Sequence, residues 1–191
     1  MIIFILLCFS VRICIDPSFV FKYYKDYQDH CQEIELIERV EKDEKVEDYL
    51  TSWLYKYQAD RIFIIQYHNG TKDWQHGTMR FEKCLHNTIP MKSDYVNFNL
   101  TWLDMPFYLK EYDYFIGNIY ELKNIDPVLY NQLIVYDIDY LACKLIKNEH
   151  GESIGILGVT YSQIDIDINI RHDKIHDYLL EDSKIIYEYI K

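Results

Sequence analysis

Between Val46 and Tyr57 the apolar residues fall at Val46, Tyr49, Leu50, Trp53, Leu54 and Tyr57, the i, i+3, i+4, i+7, i+8, i+11 spacing of one helical face. Just beyond, Arg61 to His68 (RIFIIQYH) changes character: β-branched and aromatic residues crowd together, and Asn69-Gly70 ends the run with a strong turn signal. A helix with one apolar stripe that leads straight into a strand has a sheet to lie on, which makes the chain α+β.

The remaining elements follow from the same reading. The stripe predicts a helix over about 30–58, with Ile34, Ile37 and Val40 at helical spacing before Glu44 interrupts them. Gly77 precedes a second strand, Met79 to Leu85, set to pair with the first around a polar turn that carries Trp74. Asn87 to Asn99 is irregular and contains Pro90, and Trp102 to Tyr112 reads as a helix with Asp104 and Pro106 at its start. Tyr114 to Leu122 contains a short extended piece. Asp126-Pro127 opens another helix, with Asp126 as N-cap, running to about Val135. Tyr140 to Lys147 and Ser153 to Tyr161 form a hairpin across the Gly151 loop, and a final helix covers about 173–191.

Charge and cysteine usage narrow the partners. A formal charge of −11 repels polyanions, and no Lys/Arg cluster offsets it, so nucleic acid is not an expected partner. The 19 Tyr supply large faces with one polar tip, suited to half-buried strands and contact surfaces. Five cysteines, Cys8, Cys14, Cys31, Cys84 and Cys143, show no C-x-x-C and read as mostly reduced thiols rather than a disulfide scaffold. Met1 to Phe9 is wholly apolar but short of the roughly 20 residues of a spanning helix, and Arg12 follows. It reads as an anchor or export signal, or as a packed segment. The division is therefore 1–20 as hydrophobic anchor or signal, 21–45 as a charged stalk helix and 46–191 as the domain. The expected location is at a membrane through residues 1–15 with the domain in the cytoplasm, or free in the cytoplasm.

Two segments carry a family resemblance. ADRIFIIQYHNG (Ala59 to Gly70) and NEHGESIGILGVTY (Asn148 to Tyr161) resemble the first strand and the glycine hairpin of GAF-like proteins with an H-N-G turn. Such proteins occur in bacteria and phages, often behind a membrane segment and a charged helix. The resemblance covers about 46–190. It implies an antiparallel sheet with the N- and C-terminal helices on one face, and a non-enzymatic sensory or small-molecule-binding domain. The alternative is a structural or protein-interaction module on the same scaffold without a ligand. The N-K-F-D-E set of cyclic-nucleotide binders is absent, and Cys84-Leu85-His86 does not reproduce the adjacent Cys-His of bilin attachment.

The candidate ligand-binding residues are Gln66, His68, Asn69, Trp102, Phe107 and Tyr161. Gln66 and His68 share one strand face, opposite Phe63, Ile65 and Tyr67, where they either meet a polar ligand or, with Asn69, finish the strand and its turn. Trp102, Phe107, Tyr108, Tyr112, Tyr114 and Phe115 form an aromatic belt that serves as core, interface or ligand cover. His68, His76, Cys84 and His86 have zinc-compatible donors but no recognised spacing, so no metal is expected. Cys84 and Cys143 could form a redox pair; the reading preferred is two buried thiols. The Asp165/Asp167 alternation lacks the glycine and glutamate of a calcium loop. No catalytic residue and no cofactor is expected. The partner is an unknown small molecule or protein, with a homodimer through the N-terminal helix as one option.

Overall fold

The computed structural model describes residues 18–68, 76–162 and 168–190. Asn69, Trp74, Asp165, Asp167 and the hydrophobic start thus lie outside the described residues. Helix α1, Ser18–Tyr57, reaches further back than the 30–58 expected from the stripe. No proline or glycine falls between 18 and 57, so nothing in the chain removes a helical donor or loosens the backbone. Contacts divide the chain between Asp43 and Glu44. Before that division Phe21, Tyr24, Tyr27, Leu36 and Ile37 are more than half exposed; after it, Val46 and Leu50 are fully buried. Gln58 ends the helix in a left-handed conformation (φ 50°).

Six strands follow: β1 (Arg61–His68), β2 (His76–Cys84), β3 (Phe98–Asn99), β4 (Tyr114–Asn118), β5 (Tyr140–Lys147) and β6 (Ser153–Tyr161). They form one sheet in the order β3-β2-β1-β6-β5-β4, and every pair is antiparallel. β2 begins at His76, three residues earlier than the sequence suggested, because His68 pairs with His76 and Tyr67 with Gly77. A register shift between Ile64 and Ile65 keeps Ile64 opposite Phe81 and Ile65 opposite Met79.

The sheet is buried on both faces. One face carries Ile62, Ile64, Leu157 and Val159, packed with Val46, Leu50 and Leu54 of α1 and with Leu179 and Ile186 of helix α5, Ile168–Ile190. Lys56 and Asp182 tie these helices by contacts of 2.8 and 3.1 Å, and Tyr49 and Tyr189 meet with rings 5.5 Å apart. The terminal helices thus share one face of an antiparallel sheet, as the resemblance implied.

The other face, with Phe63, Ile65, Met79, Leu141, Cys143 and Ile156, is covered by shorter pieces: α2 (Met105–Tyr112), α3 (Leu122–Ile125), α4 (Pro127–Leu133) and the loops around them. Here the expected 102–112 helix is corrected. Leu100–Trp102 is a separate 3-10 turn, and Leu103 is extended (φ −114°, ψ 140°) before α2 begins. Pro106 lies in the first turn of α2, where its missing N–H costs nothing. α4 also stops earlier than expected, at Leu133, and a 3-10 turn carries the chain to Tyr136. Of the aromatic belt, Phe115 is buried, Tyr108 and Tyr114 are half-buried, and Trp102, Phe107 and Tyr112 are exposed.

Candidate functional site

Strand alternation sends Phe63 and Ile65 of β1 and Cys143 of β5 to the same side, where Met79 and Ile156 join them as a floor. Gly158 pairs with both Phe63 and Cys143 in the sheet, and a Cβ at Gly158 would lie 2.2 Å from Phe63 Cζ. The absence of a side chain there is what lets the Phe63 ring lie flat across β6. Between this floor and a cover that includes Met91, Leu103, Met105 and Leu133 is a cavity of about 50 Å³, lined only by apolar residues apart from the Tyr95 hydroxyl and the Cys143 thiol. A cleft of about 400 Å³ adjoins it and shares Tyr95, Phe98 and Leu103 with it. The cleft adds Asp94, Trp102, Gln132 and Tyr136, so the site passes from apolar below to aromatic and polar above.

Polar contacts hold the cover together. Asp126 is fully buried; its Oδ1 accepts from the Leu129 N–H at 2.9 Å and its Oδ2 from the Met105 N–H at 2.8 Å. One carboxylate therefore caps α4, as the sequence indicated, and also α2, whose own Asp104 makes no side-chain cap. Arg61, fully buried, has Nε 3.0 Å from Glu82 Oε1, while its guanidinium donates to Thr160 Oγ1 at 3.1 Å and to the Ile89 carbonyl. Glu82 in turn accepts from the Met91 and Lys92 N–H groups at 2.9 Å each. This network fixes the loop after β2 against the sheet. Tyr95 Oη donates to Gln132 Oε1 at 3.2 Å and Tyr136 Oη donates to Asp94, bridging the two walls of the cleft. Burial first, then the bond to Asp94, pushes the Tyr136 phenol up to about 12, so it stays a donor at neutral pH. Burial likewise raises the Cys143 thiol to about 12, which leaves it protonated and unreactive.

Comparison with solved structures places this architecture. A far-red cyanobacteriochrome photoreceptor superposes with a TM-score of 0.58 at 12% identity, over 89% of this chain and 96% of that one. The PixJ GAF domain of Thermosynechococcus elongatus matches with a TM-score of 0.58 at 11% identity, over 79% and 88%. The phycoerythrobilin-bound GAF domain of a cyanobacterial phytochrome gives 0.56 at 12%, again over 79% and 88%. The fold is GAF-like. No protein-family profile matches the sequence. No curated protein matches it either.

Within the GAF-like fold the candidate residues fall on opposite faces of the sheet. Gln66 faces the terminal helices: its amide donates to the Ile190 carbonyl at 2.9 Å and accepts from Arg80 at 2.9 Å. His68 bonds Thr78 Oγ1 at 2.7 Å and stacks on His76, 6.4 Å between centroids. Tyr161 is buried among the terminal helices and donates to the Tyr57 carbonyl at 3.1 Å. Among the described members of the set Trp102 alone lines the cleft; Phe107 is exposed on α2, outside it. Among the described residues no group of three or more His, Cys, Asp or Glu side chains gathers as metal ligands. β1 and β6 separate Cys84 on β2 from Cys143 on β5, roughly 14 Å at sheet spacing, beyond disulfide reach.

Sequence reasoning missed Asp94, Tyr95, Phe98, Gln132 and Tyr136. The available signal was Asp94, Tyr95 and Phe98 inside the irregular stretch 87–99, where no element needs aromatic residues for its own periodicity. Among the described residues no helix is long and apolar enough to cross a membrane.

Proposed function

We propose that this chain is a non-enzymatic sensory module that binds a small molecule in the cleft beside Trp102, with the ligand's apolar part directed at the cavity floor. The observation that carries this reading is the adjoining pair of spaces. The cleft, about 400 Å³, is within the roughly 300–1,000 Å³ of ligand pockets, and it opens beside an apolar cavity. The similar phytochrome domain holds phycoerythrobilin, but a tetrapyrrole is not the ligand proposed here, because Cys84-Leu85-His86 does not reproduce the adjacent Cys-His of bilin attachment and, among the described residues, no cysteine lines the cleft. Residues 1–15 would tether such a module to a membrane. The test is a thermal-shift screen of the full chain against metabolites. A ligand at about 100 times its Kd adds about 2.7 kcal/mol, a shift of several degrees. Trp102→Ala is expected to abolish that shift with little change in the unliganded Tm, since the Trp102 side chain is 74% exposed. A shift that persists in Trp102→Ala places the ligand elsewhere, and a blank screen removes the reading.

One observation favours a second reading, a protein-interaction module. Phe21, Tyr24, Tyr27, Ile34, Leu36 and Ile37 of α1 all stand exposed on a helix of 40 residues. An Ile34→Glu, Ile37→Glu variant of the full chain then loses any oligomer seen by light scattering while keeping its Tm. A monomeric parent protein sinks a homomeric form of this reading.

A further inference from the structure

The chemistry of the cleft specifies one end of the ligand, an inference that rests on the ligand-binding reading above. Four of its lining residues are aromatic: Tyr95, Phe98, Trp102 and Tyr136. Tyr95 and Phe98 meet edge to face, 5.5 Å between centroids. Trp102 is held out on a short 3-10 turn, which Asn99 clamps by accepting from the Thr101 N–H at 2.9 Å and the Thr101 hydroxyl at 2.7 Å. An indole on a turn so fixed, and 74% exposed, is open to a ligand rather than filling a core.

Charge points the same way. Among the described residues Asp94 is the one carboxylate lining the cleft, and no lysine, arginine or histidine lines it. Asp94 accepts one bond from Tyr136 and one from Ser93 Oγ at 3.1 Å, so its carboxylate keeps acceptor capacity. Arg61 lies 5.7 Å from the Tyr136 ring and is paired with Glu82 at 3.0 Å. The chain's net charge of −11 adds a long-range attraction for cations and a penalty for anions. Aromatic faces with a carboxylate and no competing base are the arrangement that attracts an alkylammonium group, through ring quadrupoles and one formal charge.

The geometry points to a small organic cation, a methylated ammonium headgroup, as the ligand class of this cleft. The headgroup would sit against Trp102 and Tyr136 with Asp94 as counter-ion, and the apolar remainder against Tyr95, Phe98 and Leu103. Neutral ligands of the same shape lose both electrostatic contributions. Carboxylate ligands add repulsion from Asp94.

The test titrates the full chain with three probes of one shape: choline, its neutral isostere 3,3-dimethylbutan-1-ol, and the anion 3,3-dimethylbutanoate. Binding is followed by calorimetry and by tryptophan fluorescence. Choline is expected to bind at least about tenfold more tightly than the neutral probe, with the anion weakest. Asp94→Asn is expected to remove most of that preference while leaving the Tm unchanged, because Asp94 is exposed and Asn can still accept from Tyr136. Equal or tighter binding of the neutral probe overturns the inference but leaves the ligand-binding reading in place. Retention of the full preference in Asp94→Asn overturns it as well. Failure of all three probes at millimolar concentration also overturns it, and the metabolite screen then decides the broader reading separately.

Discussion

Asp126 shows how much of this architecture rests on one side chain. Its two oxygens satisfy the first N–H groups of two different helices in a place without exposure to water. Removing the carboxylate leaves both donors buried and unpaired, a loss of about 2–4 kcal/mol. Asp126→Ala is therefore expected to lower the Tm by several degrees and to loosen α2 and α4, the elements over the cavity; thermal unfolding with hydrogen exchange checks both. An unchanged Tm would mean that water replaces the carboxylate. The cap on α4 was legible in the sequence, because an N-cap is a local relation between Asp126 and Leu129. The cap on α2 was not, because Met105 lies 21 positions away and Asp104 occupied the place where a cap would be sought.

At the scale of elements, the end of α2 and the strand beside it share a charge pair with a defined pH dependence. Asp113 ends the helix in a left-handed conformation (φ 71°), accepts from Lys144 of β5 and forms an ion pair with Lys147. Burial works against its charged form, but the two lysines outweigh it and hold the carboxyl below its ordinary value. A depressed folded value means the stabilisation is present above the unfolded value, near 3.9, and is lost as pH falls through the folded one. Lys144, almost buried, is then left without its counter-charge. Asp113→Asn, which tolerates the left-handed backbone, is expected to have a lower Tm than the parent at pH 7. That gap narrows as the pH is taken from 5 to 3. A gap that stays constant in thermal melts across this range would rule out the pair as its source. Most elements here were legible from periodicity, and the misread boundaries have local causes. β2 starts early because its pairing with β1 continues to His76, and the 102–112 helix splits because Leu103 is extended.

At the scale of the molecule, the sheet separates two cores that do different work. The face under α1 and α5 is dense and structural; the face under α2 to α4 holds the cavity and the cleft. Leu179 of α5 is fully buried on the first face, so Leu179→Ala is expected to cost about 2–5 kcal/mol. Its ligand-induced shift in Tm should nevertheless match that of the parent. A lost shift at temperatures where the variant is folded would show that the two faces are coupled. The same separation explains which parts of the site could be read in advance. Alternation along β1 determined that Gln66 and His68 share a face and that Phe63 and Ile65 share the other, since the period of a strand is a local property. Composition and charge determined an acidic chain unsuited to polyanions. Only the tertiary structure decided which face the terminal helices would cover, and hence that Gln66 binds the Ile190 carbonyl while Phe63 and Cys143 line the cavity. It also decided that Asp94, Trp102 and Tyr136, scattered along the chain, meet at one cleft. Local sequence sets the period of each element, but which residues meet across a sheet depends on contacts far apart in the chain.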